Sequence, residues 1–142
     1  MFKSILVPVD LGHDSSWRKS LPTAIAIAQA HGAEMHVMTV LPDFGMSMVS
    51  VNFPDGFEEK ALAEMARSLE TFKNTHIPAE LKARAHVAHG GIYSEIIKAA
   101  TSLGCDLIVL GSHRPEMKDY LIGPNAARVV RYATQSVFVV RE

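Results

Sequence analysis

Short apolar runs recur along this chain, each too short for a membrane span and too continuous for a sheet with one wet face. Residues 4–9 read Ser-Ile-Leu-Val-Pro-Val, 34–41 Glu-Met-His-Val-Met-Thr-Val-Leu, 106–111 Asp-Leu-Ile-Val-Leu-Gly and 136–140 Ser-Val-Phe-Val-Val. Runs of this kind fit strands buried on both faces. Residues 82–89, stopping at Gly90-Gly91, supply a further strand.

Between the runs the period changes. Trp17, Leu21, Ala24, Ile25 and Ala28 recur at helical spacing, and Gly32 closes that segment. Pro22 leaves two starts open: a helix beginning near Ser20 with Pro22 in its first turn, or a longer one capped at Asp14 or Ser15 and kinked at Pro22. Leu62, Met65, Leu69 and Phe72 mark the next helix, with Pro78 beyond its end. Ile92, Ile96, Ala99, Ala100 and Leu103 mark another that stops at Gly104. Gly123-Pro124-Asn125 opens the last, with Ala126, Val129, Val130 and Ala133 on its inner face. Residues 42–56 and 112–122 show no period and read as loops.

Strands alternating with helices imply right-handed crossovers and a parallel sheet covered on both faces. The chain's 142 residues make one α/β domain, 1–142, and the 48% apolar content suffices for its core. In such sheets a ligand sits outside the carboxyl ends of the strands, where strand order reverses. The loops after Asp10 and after Gly111 are the two that suit it.

Composition excludes several classes. The net charge is −1, without the clustered basic residues of a nucleic-acid binder. No apolar run approaches the ~20 residues of a membrane helix. The first eight residues are too short for a signal peptide and run into Asp10. Cys105, the single cysteine, has no partner for an internal bridge, which suits a reducing compartment. The expected location is the cytoplasm.

The most informative segment is Gly111-Ser112-His113-Arg114 followed by Gly123-Pro124-Asn125-Ala126. It leads from a strand into a helix. First-turn amides lack helical partners and carry positive partial charge, so they suit a phosphate. Gly111 and Gly123 let backbone approach a ligand, and His113 and Arg114 add charge. Neither a Walker loop nor a Gly-x-Gly-x-x-Gly fingerprint occurs. On spacing alone, a strand-to-helix turn with solvated charges explains the segment equally well.

Ile5-Leu6-Val7-Pro8-Val9-Asp10 at one end and Gly111-Ser112-His113 … Gly123 … Ala126-Ala127-x-Val129-Val130-Arg131 … Ser136-Val137-x-Val139-Val140 at the other resemble the universal stress protein family. Ser112-His113-Arg114-Pro115 … Tyr120-Leu121-Ile122-Gly123 is most similar to its F/G subgroup. The resemblance implies five parallel strands in order 3-2-1-4-5, the adenine nucleotide alpha hydrolase-like fold. It also implies binding of ATP or AMP, with Mg, in those members that bind nucleotide. Asp10, beside Pro8 and Val9, would then hold the ribose, and Thr39 and Val40 the adenine. Gly111 would lie by ribose and phosphates, and Gly123 and Pro124 would grip the phosphates; Ser112, His113, Arg114, Asn125 and Ala126 complete the candidate nucleotide-binding residues.

The family's usual pattern is Gly-x2-Gly-x9-Gly-Ser/Thr. Here Arg114 replaces the second Gly, with one residue fewer before Gly123, as in the F/G subgroup. Pro124 replaces Ser or Thr and removes both a hydroxyl and an amide hydrogen. Proline does suit a first helical position, leaving the amides of Asn125 and Ala126. Losing two donors to a charged ligand costs on the order of 3–6 kcal/mol if both are well aligned, and water access reduces that figure.

Other residues have plainer readings. Asp10 alone reads as an Asx-turn or cap; the resemblance reverses that preference. His86 and His89, three apart on a strand, face opposite sides and do not suit a shared metal. Cys105 reads as a core thiol. Ser112-His113 lacks an orienting acid, so no hydrolase triad is expected and no catalytic residue is assigned. Phe44, Met46, Met48, Val49, Val51 and Phe53 suit a ligand cover, a partner surface or a loop folded on its own core. Val137 to Val140 would form an edge strand, which invites pairing. In the family that strand meets its twofold mate, so a homodimer is expected. Two functions compete: a dimeric adenine-nucleotide-binding stress regulator, with at most slow ATP hydrolysis or autophosphorylation, and a dimeric interaction protein that binds no nucleotide. A nucleotide-dependent transferase is the weakest reading.

Overall fold

The computed structural model describes residues 1–42, 56–112 and 124–141. Five parallel strands form one sheet: β1 (Ser4–Pro8), β2 (Glu34–Pro42), β3 (Arg84–Gly90), β4 (Leu107–Gly111) and β5 (Ser136–Val140). Their order is β3-β2-β1-β4-β5, so β1 is central and the order in which strands are added reverses between β1 and β4, the strands themselves staying parallel. Leu6 is in register with His36 on one side and Ile108 on the other.

The helices are α1 (Ser20–His31), α2 (Phe57–His76), α3 (Ile92–Ser102) and α4 (Pro124–Tyr132). Strand periodicity divides the core in two. Ile5, Val7, Met35, Val37, Leu107 and Val109 point to one face, against Leu21, Ala24 and Ala28 of α1 and Leu69 and Phe72 of α2. Leu6, Met38, Ile108 and Leu110 point to the other, against Ile96 and Ala100 of α3 and Ala126 and Val129 of α4. Leu6, Ile5, Ile108 and Leu69 are each 0% exposed. Burying a side chain of that size contributes roughly 1.5–3 kcal/mol.

The start of α1 takes the first of the two alternatives. A single 3-10 turn (Asp14–Ser16) precedes it, and Pro22 is its third residue, inside the first turn where proline is tolerated. Trp17 therefore lies outside the helix; its ring meets Phe72 edge-on at 4.9 Å between centroids. Gly32 closes α1 in the left-handed region, φ 66°.

One expectation is corrected. Val130 does not join the inner face of α4: it is 45% exposed. The helix packs through Ala126 and Val129, with Ala133 just past its end, and Val130 lies about 100° round from the fully buried Val129. The loops expected at 42–56 and 112–122 fall almost wholly outside the described residues.

Candidate functional site

A cleft of ≈ 270 Å³ opens at the carboxyl ends of β1, β2 and β4. Topology puts it there. β1 feeds α1 on one face and β4 feeds α4 on the other, so the two outgoing chains part and leave a gap.

Asp10 stands on the β1 side. Its Oδ1 accepts the Gly12 N–H at 2.9 Å, which is an Asx-turn, and its Oδ2 lies 3.0 Å from His13 Nδ1. The plain reading of Asp10 and the ligand reading thus describe the same residue. It is committed to its turn, yet it lines the cleft and a carboxylate keeps further acceptor capacity.

On the opposite wall α4 presents Asn125 and Ala126 from its first turn. The wall between is apolar: Met38 and Val40 of β2, Met65 of α2, Ile92 and Ile96 of α3 and Leu110 of β4. An apolar slot with a few polar groups at one side suits a flat ring attached to something polar and charged.

Of the residues expected from sequence, Pro8, Val9, Asp10, Thr39, Val40, Gly111, Asn125 and Ala126 line this cleft. Ser112 and Pro124 are not among the lining residues; the Ser112 amide is spent on the Val140 carbonyl at 3.2 Å, continuing the β4–β5 pairing. His113, Arg114 and Gly123 lie outside the described residues.

Gly111 has a reason other than ligand approach. A Cβ placed there would sit 2.5 Å from the Ser16 carbonyl oxygen and 3.1 Å from its carbon. The backbone that comes close to Gly111 is the protein's own, from the turn between β1 and α1.

The apolar wall was missed. Met65, Ile92 and Ile96 carry the helical period, and nothing in a 3.6-residue repeat distinguishes a core contact from a cleft contact. Leu11, Gly12, Ser16 and Pro42 also line the cleft, and no spacing signal marked them.

The remaining candidates fall away from the cleft. His86 Nε2 lies 2.9 Å from His36 Nδ1 on β2, whereas His89 Nδ1 pairs with Glu58 Oε1 on α2 at 2.7 Å. The two histidines go to different partners, and no group of three potential metal ligands occurs among the described residues. Cys105 is buried, its Sγ 3.4 Å from Ser4 Oγ, and burial pushes its thiol pKa up. That is the behaviour of a core thiol.

The universal stress protein family model matches residues 1–141. The chain belongs to the universal stress protein family. Universal stress protein G of Shigella flexneri is 32% identical over 145 residues, covering 99% of this chain and 100% of the relative. Universal stress protein UspA from Lactobacillus plantarum is 25% identical with a TM-score of 0.71, covering 98% of this chain and 97% of that one. A universal stress protein solved in complex with cAMP is 22% identical with a TM-score of 0.63, covering 99% and 97%. The fold is the adenine nucleotide alpha hydrolase-like fold of these proteins, with the 3-2-1-4-5 order that the resemblance implied.

Proposed function

We propose that this universal stress protein binds an adenine nucleotide, ATP or AMP, and acts as a homodimeric stress-response regulator. The observation that carries the reading is the juxtaposition across one cleft of the Asp10 carboxylate, an apolar wall and the first turn of α4. The wall takes the base, Asp10 takes ribose hydroxyls, and the amides of Asn125 and Ala126 face the phosphates. The relative with bound cAMP shows that the family's fold accepts an adenine nucleotide.

A Mg ion fits only as a companion of the phosphates. Asp10 is the single carboxylate among the described lining residues, and one carboxylate does not hold Mg without substrate oxygens. We assign the protein regulation in place of fast turnover, with slow hydrolysis or autophosphorylation as its upper limit. The dimer would form through β5, an edge strand whose Phe138 is 46% exposed. A cytoplasmic location accords with an unpaired buried Cys105, and no described helix is long and apolar enough to cross a membrane.

The test is direct. Heat-denatured purified protein should release adenine nucleotide into the supernatant, and calorimetry with Mg-ATP should give saturable binding that Asp10→Ala weakens. Protein that carries no nucleotide and takes none up would overturn the reading. One observation favours a second reading, a dimeric interaction protein that binds no nucleotide: Pro124 offers neither hydroxyl nor amide hydrogen at the start of α4.

A further inference from the structure

Ser16 has no sequence signal. It follows Asp14 and Ser15 in a polar stretch and would pass as a solvated turn residue. Its contacts say otherwise. The Asp10 N–H donates to Ser16 Oγ at 2.8 Å. The same hydroxyl is 2.8 Å from the His13 carbonyl oxygen and 3.1 Å from that of Asp10, and its one proton goes to one of them at a time. The Ser16 carbonyl in turn accepts the Ser20 hydroxyl at 3.1 Å, at the first residue of α1. That carbonyl also fills the space in which a side chain on residue 111 would begin.

One residue therefore touches the end of β1, the start of α1 and the end of β4, the elements that part to make the cleft. We propose that Ser16 is a positioning residue of this cleft: it fixes the backbone of Asp10, and so the aim of its carboxylate, and seats the β1–α1 turn against Gly111. The inference rests on the reading of the cleft as a nucleotide site. Ser16 also lines the cleft, but its hydroxyl proton and one lone pair are already used by the main chain. Its effect on a ligand is thus exerted through Asp10. Serine suits the task because a short stem brings a donor and an acceptor back onto the main chain within six residues.

The test is a double-mutant cycle read by calorimetry with Mg-ATP. Ser16→Ala should weaken binding about tenfold, the equivalent of one to two net hydrogen bonds. In an Asp10→Ala background the same substitution should cost less than about twofold, because the group it positions is gone. A general loosening of the fold would cost the same in both backgrounds, so the cycle separates positioning from structure. Ser16→Thr keeps the hydroxyl and should restore affinity to within about threefold. Amide exchange adds a ligand-free readout: the Asp10 N–H should lose protection in Ser16→Ala and keep it in Ser16→Thr. Undiminished affinity in Ser16→Ala, or an equal loss with and without Asp10, overturns the proposal while leaving the nucleotide reading in place. Wild-type protein that binds no adenine nucleotide overturns the reading of the cleft, and the role of Ser16 with it.

Discussion

The two ends of the sheet treat the same residue type in opposite ways. Asp106 stands just before β4, at the amino end of the sheet, and Asp10 just after β1, at the carboxyl end. Asp106 accepts the backbone N–H groups of Lys3 at 3.0 Å and Ser4 at 3.1 Å. Its own N–H reaches the Ser4 carbonyl at 3.0 Å, and its carbonyl accepts from Ser136. Beside it Ser4 meets Cys105, and further along the same end His36 meets His86. Burial raises the Asp106 pKa, but the Lys3 and Ser4 amides outweigh it and hold the carboxyl below its ordinary 3.8. At the other end Asp10 makes only its local turn, remains about half exposed and borders a cleft. The chain enters β1 and β4 where their backbones are tied through Asp106, whereas it leaves them toward α1 and α4 on opposite faces of the sheet. At β1 and β4 the amino end is tied by the chain itself, although a groove of ≈ 580 Å³ opens beside the amino ends of β2 and β3; the carboxyl ends of β1 and β4 instead border the cleft.

That contrast can be broken, most forcefully at Gly111. Gly111→Ala should cost about 2–3 kcal/mol in urea unfolding and weaken Mg-ATP binding, because the new Cβ meets backbone rather than a movable side chain. An unchanged midpoint would mean that the open end carries none of the fold's stability. Next, the two aspartates should exchange effects. Asp106→Ala strands the amides of Lys3 and Ser4 and should cost about 2 kcal/mol of stability with nucleotide affinity unaltered. Asp10→Ala should cost under about 1 kcal/mol of stability and most of the affinity. If both variants lose stability alike, the ends do not differ as argued.

Acid sharpens the same contrast. His36 is shifted below 6.5 by burial first, then by His86, and His86 by burial first, then by Arg84. Glu34 opposes the shift, its Oε2 3.9 Å from His36 Nε2. The unfolded chain therefore binds protons at a higher pH than the folded one. The stability these groups contribute is complete above pH 6.5 and falls as pH drops below it toward their folded values. Urea midpoints measured from pH 7.5 to 5 should decline, and His86→Gln should flatten the slope. A slope unaffected by that substitution would place the sensitivity elsewhere. The smallest effect is expected at Pro124. Pro124→Ser restores a hydroxyl and an amide hydrogen at the start of α4; because Pro124 does not itself line the cleft and water competes for both donors, it should tighten Mg-ATP binding by only about three- to tenfold, far less than two well-aligned donors would. Unchanged affinity would mean that the phosphates do not reach that turn.

Much of this was legible before any coordinates. Ile5, Leu6 and Val7 announce a two-faced strand because a run with no polar member has no wet side, and the same holds for Leu107 to Leu110. Asp10 and Gly111 stood out because each ends such a run. Val130 misled because it satisfies a spacing of four from Ala126, and a repeat cannot say which of two adjacent apolar residues meets the sheet. The His36–His86 contact was invisible for a different reason: it joins residues 50 positions apart, and only the β2–β3 register brings them to one face.

Sequence alone determined the elements, their alternation and hence a parallel sheet; the placing of β1 beside β4 was what the family resemblance implied. The elements and the sheet follow from local periods and from the handedness of crossovers, which each segment carries within itself. Tertiary structure alone decided what surrounds the cleft. It turned Met65, Ile92 and Ile96 into a wall, set the Ser16 carbonyl over Gly111 and gave Asp10 its turn. Each of those is a contact between groups on separate elements or across a turn, and such contacts depend on how the elements pack, not on the order in which residues are written.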